Sequence, residues 1–178
     1  NKMDNILCIQ MHTDAAFSGQ GLASELLQLS KLLGYSVNGS IHVIVNNKIG
    51  FTTSEEEGRS SYYCTDIAKM IEAPVLHVNG DDLEAIIQSA SLAIMYRKKF
   101  KSDIFIDLVC YRKYGHNELD EPRFTDPLLY KKIDRKVSSI DHCQEKLQDD
   151  FNAKKFRKII SGLYNRDLSK SFAKSHKA

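Results

Sequence analysis

Four short apolar runs, rich in β-branched residues and separated by longer polar or helix-forming stretches, are the most constraining feature of this sequence. They lie at 5–12, 41–45, 74–78 and 103–111. Their residues are apolar on both faces, which is typical of strands in a parallel sheet covered by helices. The strand–helix alternation therefore predicts an α/β fold, a doubly wound, mostly parallel sheet with helices on both faces and right-handed crossovers.

Helical spacing of apolar residues fills the intervals between the predicted strands. The first predicted helix spans 21–33, the second spans 63–71, and the third runs to about Lys99. Asp81 and Asp82 both offer an N-cap for the third helix, and Asp81 with Glu84 three residues later resembles a capping box. Tail residues from Leu128 onward have an amphipathic helical pattern.

The strand pattern stops well before the end of the 178-residue chain, which predicts two regions. Residues 1–137 are expected to form the α/β domain, and residues 138–178 a helical, partly loose C-terminal extension. Basic residues concentrate in the tail, but they lack interleaved aromatic residues and any nucleic-acid-reading motif, which favours a solvated helical face over a nucleic-acid site. No apolar run approaches the ~20 residues of a membrane span.

The four cysteines and the first residues bear on compartment and completeness. The cysteines form no CxxC pair, and Cys8 and Cys110 fall in apolar runs, so we expect buried free thiols in a reducing compartment. The chain starts at Asn1 without signal or transit character, and a strand follows almost at once, which suggests a piece of a longer protein.

Polar residues follow three of the predicted strands at their C-terminal ends. They are Asp14, the pair Asn46–Asn47 and the loop 112–121. In a doubly wound sheet these ends share one edge and can converge on a ligand. A carboxylate with an amide oxygen suits Mg²⁺, which shares its six oxygen ligands with phosphates. Spacing alone leaves open the alternative that Asp14 and Asn47 only make turns.

Two other motifs near this edge are less specific. Gly19-Gln20-Gly21 is close to a dinucleotide fingerprint, but Ser24 holds the third glycine position, so we favour a helix entry that needs close backbone approach. His116 lies on the loop at the ligand edge, where a functional role and a structural role are equally supported. Any catalysis is expected to rest mainly on a bound cofactor.

Several strings together resemble one enzyme family. The strings are DAAFSGQG, IHVIVNNKIGFTT, RSSYYCTDIAKMIEAPVLHVNGDDLEA and DLVCYRKYGHNELDEPRFTDPLLYKKI, and they cover roughly Ile6 to Ile133. They resemble the first component of the 2-oxoglutarate dehydrogenase complex, a thiamine-diphosphate-dependent 2-oxo acid dehydrogenase. IGFTT and GHNELDEP are similar to the 2-oxoglutarate branch rather than to the pyruvate or branched-chain branches.

The resemblance implies a cofactor site and a reaction. It implies that Asp14, Asn47 and the carbonyl of Ile49 hold Mg²⁺, and that Ala15 and Phe17 lie along the diphosphate of thiamine diphosphate. It implies oxidative decarboxylation of 2-oxoglutarate with transfer of the succinyl group to a lipoyl-bearing succinyltransferase component. His116 is the candidate catalytic residue. The implied location is bacterial cytoplasm or mitochondrial matrix.

Two departures from the family pattern carry expectations of their own. Thr13 stands where the family has glycine, which predicts a strained turn and weaker cofactor binding. The chain also lacks the pyrimidine-binding domain through which the family forms homodimers, so we expect a fragment that is inactive alone. The alternatives are a non-catalytic remnant or interaction fragment, and another thiamine-dependent 2-oxo acid dehydrogenase.

Overall fold

A computed structural model describes residues 6–139 and scattered positions of the tail. The tail positions are 141, 142, 145, 155, 158, 159, 161, 162, 165, 166 and 169. The chain divides into two compact units, Asn1–Lys136 and Val137–Ala178. Described positions of the second unit from Ser139 onward are helical. Residues 170–178, most of the end expected to be loose, lie outside the described residues. The assignment of functions to the two regions stays a prediction.

The first unit is built on a parallel sheet of four strands. The described residues form β1 (Cys8–Thr13), β2 (Ser40–Asn46), β3 (Ile49–Gly50), β4 (Thr53–Ser54), β5 (Val75–Asn79) and β6 (Ile104–Val109). The sheet order is β1-β2-β6-β5, with every neighbouring pair parallel, and β3 and β4 form a separate antiparallel hairpin. The predicted α/β fold with a mostly parallel sheet is confirmed.

Helices connect the strands and cover both faces of the sheet. They are α1 (Asp14–Gly19), α2 (Gly21–Leu29), α3 (Glu55–Gly58), α4 (Leu83–Phe100) and α5 (Pro127–Ile133), with a 3₁₀ helix at Cys64–Ile71. The sequence pattern missed α1, α3 and the hairpin, because four to six residues are too few to show a periodicity. It also extended α2 to residue 33 and did not distinguish the 3₁₀ helix from an α-helix.

One face of the sheet carries α1, α2 and the 3₁₀ helix. Phe17 of α1 and Leu27 of α2 are 1% exposed and pack against Ile44 of β2 and Phe105 of β6. The rings of Phe17 and Phe105 lie 5.7 Å apart, in tilted geometry. Burial of these large side chains removes the most apolar area from water on this face and fixes α1 at the end of β1.

The opposite face is covered by α4, whose Ala93 is fully buried against β5 and β6. Of the two N-cap candidates, Asp81 and Asp82, the structure uses the second. Asp82 is the N-cap and accepts hydrogen bonds from the amides of Glu84 (3.1 Å) and Ala85 (3.2 Å). A capping box led by Asp81 is therefore wrong by one position, because a side chain caps the amides two and three residues ahead of it.

β1 forms one edge of the sheet, and its face on the α4 side is uncovered. Ile9 is 57% exposed and Met11 is 72% exposed. Cys8, Cys64 and Cys110 are free thiols, as expected, but Cys8 and Cys110 are half-buried rather than buried. None of the helices in the described ranges is long and apolar enough to span a bilayer.

Candidate functional site

Asp14 is a buried carboxylate at the C-terminal end of β1. Thr13 is the last residue of β1 and pairs with Val45 of β2, so Asp14 leaves the sheet beside the end of the neighbouring strand. The Asp14 residue is 2% exposed, and no described residue donates a hydrogen bond to its Oδ1. Burial raises the pKa of this carboxyl above its usual value, because a desolvated carboxylate is costly.

A chain of charged side chains faces Asp14. Nη1 of Arg59 lies 3.7 Å from Oδ2 of Asp14, and Nη2 of Arg59 donates to Glu55 at 2.6 Å. Lys48 donates to the other oxygen of Glu55 at 2.8 Å. Hydrogen bonds from Lys48 and Arg59 hold the pKa of Glu55 below its usual value, despite the opposing effect of burial. Arg59 follows α3, so this short helix places the guanidinium opposite the end of β1.

Asn47 and Ile49 form a tight turn at the end of β2. The side-chain oxygen of Asn47 accepts a hydrogen bond from the amide of Ile49 at 3.2 Å. Lys48 (φ 63°) and Phe51 (φ 56°) flank the first strand of the hairpin in the left-handed region, which is costly for residues with a side chain. Strain of this kind persists only where surrounding contacts hold it, and it is common at ligand sites.

The side chain of Asn46 is used differently from that of Asn47. Its amide nitrogen donates to Asp107 at 2.9 Å, and its oxygen accepts from the amide of Lys48 at 3.3 Å. Asn46 is 4% exposed. Asn46, the last residue of β2, therefore bonds to interior groups, whereas Asn47, which follows it, lies at the edge of the candidate site.

The predicted site residues line two adjoining cavities rather than a single one. A cavity of about 250 Å³ is lined by Asp14, Ala15, Gly50, Glu55 and Arg59, among others. Asn47 and Ile49 line a second cavity of about 550 Å³, which also contacts Glu55. The backbone amide of Asn47 is close enough to Asp14 to lower the pKa of its carboxyl, against the larger opposite effect of burial.

Ala15 and Gly50 hold α1 and the hairpin in close contact. A Cβ atom added to Gly50 would lie 2.9 Å from the Cβ of Ala15, a distance that real Cβ atoms do not show. Gly50→Ala is therefore expected to push the hairpin, and Ile49 with it, away from Asp14. Gly58→Ala is the matched control, because its Cβ would meet only Thr53 Cγ2 at an ordinary 3.7 Å.

We expect Gly50→Ala to weaken the Mg²⁺-dependent binding of thiamine diphosphate that the resemblance implies by about tenfold or more, because displacing a group that positions ligands typically costs about 10–100-fold in affinity or activity. Gly58→Ala is expected to leave it near the wild-type value. Calorimetric titration of both variants measures the effect. Equal affinities for the two variants would show that the contact between Gly50 and Ala15 has no bearing on the site.

Phe17 and His116 are placed very differently. The side chain of Phe17 is in the core, so only its main chain is available to a diphosphate. His116 is on an exposed loop, and its ring contacts the Phe51 ring edge-on at 5.1 Å. Nη2 of Arg112 donates to the carbonyl oxygen of Phe51 at 2.7 Å. The structure thus brings His116 to the hairpin that contains Ile49.

The loop that carries His116 is closed tightly on itself. The amide of His116 donates to Oδ2 of Asp120 at 2.9 Å. A Cβ atom at Gly115 would lie 2.0 Å from the carbonyl oxygen of Asp120, so no other residue fits there without rearrangement. The GHNELD segment of the sequence therefore encodes a specific loop shape.

Comparison with known proteins identifies the family of this α/β unit. The family model described as "Dehydrogenase E1 component" matches residues 1–167. The chain belongs to the dehydrogenase E1 component family. The resemblance to the first component of 2-oxoglutarate dehydrogenase, inferred from the four sequence strings, is confirmed.

Three relatives show how much of an E1 component the chain covers. The 2-oxoadipate dehydrogenase complex component E1 of Danio rerio is 50% identical over 144 residues, 81% of this chain and 16% of that protein. The mitochondrial 2-oxoglutarate dehydrogenase of Dictyostelium discoideum is 50% identical over 141 residues, 79% of this chain and 14% of that protein. The oxoglutarate dehydrogenase of Buchnera aphidicola subsp. Baizongia pistaciae is 58% identical over 131 residues, 73% of this chain and 14% of that protein. The chain spans about one sixth or less of the length of these E1 relatives.

Two backbone expectations near the candidate site are wrong. Thr13 has φ −91° and ψ 152°, an extended conformation that any residue adopts, so its side chain causes no backbone strain. Gly19 and Gly21 have no described atom within 4 Å of an added Cβ, so the helix entry there is not a close backbone approach. The effect of Thr13 on cofactor binding stays a prediction.

Sequence reasoning missed two groups of residues near the candidate site. Arg59 and Glu55 fall in a polar loop with no periodic pattern, and only the fold brings them to Asp14. Asp107 is 1% exposed in the middle of β6 and accepts a hydrogen bond from Nδ1 of His77 at 2.8 Å. An acidic residue inside the apolar run Ile104–Val109 was the available signal for this second group.

Proposed function

We propose that this chain is the metal- and diphosphate-binding part of a thiamine-diphosphate-dependent 2-oxoglutarate dehydrogenase. One observation carries the proposal. Asp14 is a buried carboxylate whose Oδ1 has no partner in the described part of the chain, and it lies at the C-terminal edge of a parallel sheet beside the Asn47–Ile49 turn. A buried carboxylate oxygen without a donor is costly, and a bound cation offsets that cost.

The donor set suits Mg²⁺ better than softer metals. It consists of the Asp14 carboxylate, the Asn47 side-chain oxygen and the Ile49 carbonyl, all of them hard oxygen ligands. A single protein charge leaves the remaining neutralisation to a diphosphate, which the family membership supports. Ala15 and the main chain of Phe17 are proposed to lie along that diphosphate.

Under this proposal, residues of this chain bind and orient and do not break bonds. Bound thiamine diphosphate supplies the electron-accepting chemistry that lets a 2-oxo acid lose CO₂. Asp14, Asn47 and Ile49 fix the diphosphate end, and α1 with the hairpin keeps these groups at a set separation. The exposed imidazole of His116, which packs against Phe51, is proposed as a proton-transfer group at the same edge.

The proposed partners follow from the reaction. A second copy of the full-length protein would contribute the missing part of the cofactor site, and a lipoyl-bearing succinyltransferase component would accept the succinyl group. Because the chain spans about one sixth or less of its relatives, these partners are proposed for the whole protein.

Calorimetric titration with thiamine diphosphate, with and without Mg²⁺, tests the function in the native assembly of the full chain. We expect saturable binding that requires Mg²⁺. The variant Thr13→Gly is expected to bind with the same affinity as the wild type, because Thr13 is already in an extended conformation. Binding that does not depend on Mg²⁺ would contradict the proposal. Tighter binding by Thr13→Gly than by the wild type would show that Thr13 does weaken cofactor binding, as the sequence comparison with the family predicted.

2-Oxoadipate is the second candidate substrate. A relative described as a 2-oxoadipate dehydrogenase component is 50% identical to this chain, the same identity as the Dictyostelium 2-oxoglutarate dehydrogenase. The two acids differ by one methylene, which a binding pocket distinguishes by about 1–3 kcal/mol. Measuring kcat/KM for both acids with the assembled enzyme decides between them.

A further inference from the structure

Arg59 is a largely buried cation that lines the Asp14 cavity. Its side chain is 9% exposed, and its Nε has no acceptor within the described ranges. Its Nη2 donates a hydrogen bond to Glu55 at 2.6 Å. Its Nη1 lies 3.7 Å from the Asp14 carboxylate, which is too long for a hydrogen bond. Two of the three guanidinium nitrogens are therefore not committed to a strong acceptor.

The cavity contains an unmatched group of each sign. Asp14 and Arg59 both line the cavity of about 250 Å³; Asp14 has a buried carboxylate oxygen without a described donor, and Arg59 has guanidinium nitrogens without a strong acceptor. A metal ion satisfies the first group, and an anion that travels with the metal satisfies the second. A magnesium–diphosphate pair has both charges, and guanidinium donors match phosphate oxygens in geometry.

We propose that Arg59 is a diphosphate-contacting residue of this site, held in place by Glu55. The inference rests on the proposed function and adds a binding residue to it. A cation held by Asp14 would balance that carboxylate in place of the guanidinium, whose donors would then be available to a phosphate oxygen. Glu55 keeps the side chain in the cavity throughout, and Lys48 keeps Glu55 in place from the solvent side.

The test measures binding of inorganic pyrophosphate and of thiamine diphosphate over a range of Mg²⁺ concentrations. It uses the full chain in its native assembly and the variants Arg59→Gln and Arg59→Lys. Arg123→Gln is the matched control, because Arg123 also pairs with two carboxylates, Glu121 and Asp134, but lines neither the Asp14 cavity nor the adjoining one. Thermal melting of each variant establishes that it is folded.

We expect Arg59→Gln to weaken pyrophosphate binding about 10- to 100-fold at saturating Mg²⁺, the usual effect of losing hydrogen bonds to a charged group. Arg59→Lys should recover part of the loss, and Arg123→Gln should bind nearly as the wild type does. Recovery of Arg59→Gln at high Mg²⁺ would overturn the inference, since Arg59 would then only orient Asp14. Absence of Mg²⁺-dependent binding in the wild type would instead overturn the proposed function.

Discussion

Asp14→Asn is expected to lower the affinity for thiamine diphosphate in the presence of Mg²⁺ by more than about 100-fold, since even residues that only support metal ligands cost 10–100-fold. The substitution keeps the shape of the side chain and removes its charge. Because Asp14 is the one carboxylate of the proposed ligand set, its loss leaves only neutral protein oxygens for the metal. Calorimetric titration beside the wild type measures the change.

The same substitution is expected to stabilise the protein in the absence of metal. Burial raises the folded-state pKa of Asp14 above its unfolded value, so the folded state binds more protons over the interval between the two values. The free energy of unfolding therefore falls as pH rises from the unfolded-state pKa through the folded-state pKa, and the full cost is present above both values. Asp14→Asn removes this cost and flattens the pH dependence.

Urea unfolding of the metal-free wild type and Asp14→Asn, from acidic to neutral pH, checks the second effect. The two proteins should be closest in stability at the acidic end and should diverge as pH rises. Lower stability of Asp14→Asn at neutral pH would show that Asp14 supports the fold rather than a ligand. Retained metal-dependent binding would refute the assignment of Asp14 as a metal ligand.

Asp107→Leu is expected to destabilise the first unit by about 3 kcal/mol or more, the usual cost of breaking a buried, hydrogen-bonded polar network. Asp107 accepts hydrogen bonds from Asn46 at 2.9 Å and His77 at 2.8 Å, and the thiol of Cys64 lies 3.9 Å away. Leucine has a similar volume but accepts nothing, so the buried amide of Asn46 loses its partner.

His77→Ala is the matched comparison for Asp107→Leu. His77 is 40% exposed, so its removal leaves the Asp107 carboxylate with two of its three partners and an opening to water. Its effect on urea unfolding is expected to be clearly the smaller of the two. Burial and the nearby Asp107 carboxylate raise the pKa of the Cys64 thiol to about 12. Loss of that carboxylate should lower this pKa, although burial keeps the thiol protonated at neutral pH. Equal destabilisation by the two variants would show that the contact between His77 and Asp107 dominates the network.

The sequence pattern predicted the sheet more completely than it predicted the candidate site. Strand runs such as Ile41–Val45 are apolar on both faces, and this local pattern is sufficient to predict a parallel sheet. Asp14 and Asn47 were identified because they directly follow such runs. Arg59 was not, because an arginine in a polar loop has no pattern of its own, and its role depends on a contact 45 residues away in the sequence.

Conformation at the turn was also beyond the sequence pattern. Lys48 and Phe51 adopt left-handed backbone angles, which residue type would have assigned to glycine or asparagine. The contact of Gly50 with Ala15 and the hydrogen bond from Arg112 to the Phe51 carbonyl hold this strained hairpin in place. Such strain is specified by tertiary contacts, so it does not appear in local propensity.

The sheet order also has a consequence for synthesis on the ribosome. β2 can pair with β1 as soon as Asn46 has emerged, but its other neighbour is β6, and Ile41 pairs with Ile104. Phe105, which packs against Phe17, arrives at the same late stage. Until β6 has been made, the nascent chain therefore contains the Asp14 edge of the sheet without the β6 residues that pack beside it. A pairing this distant in sequence is slow to form, so truncated chains ending before Val109 should be prone to aggregation.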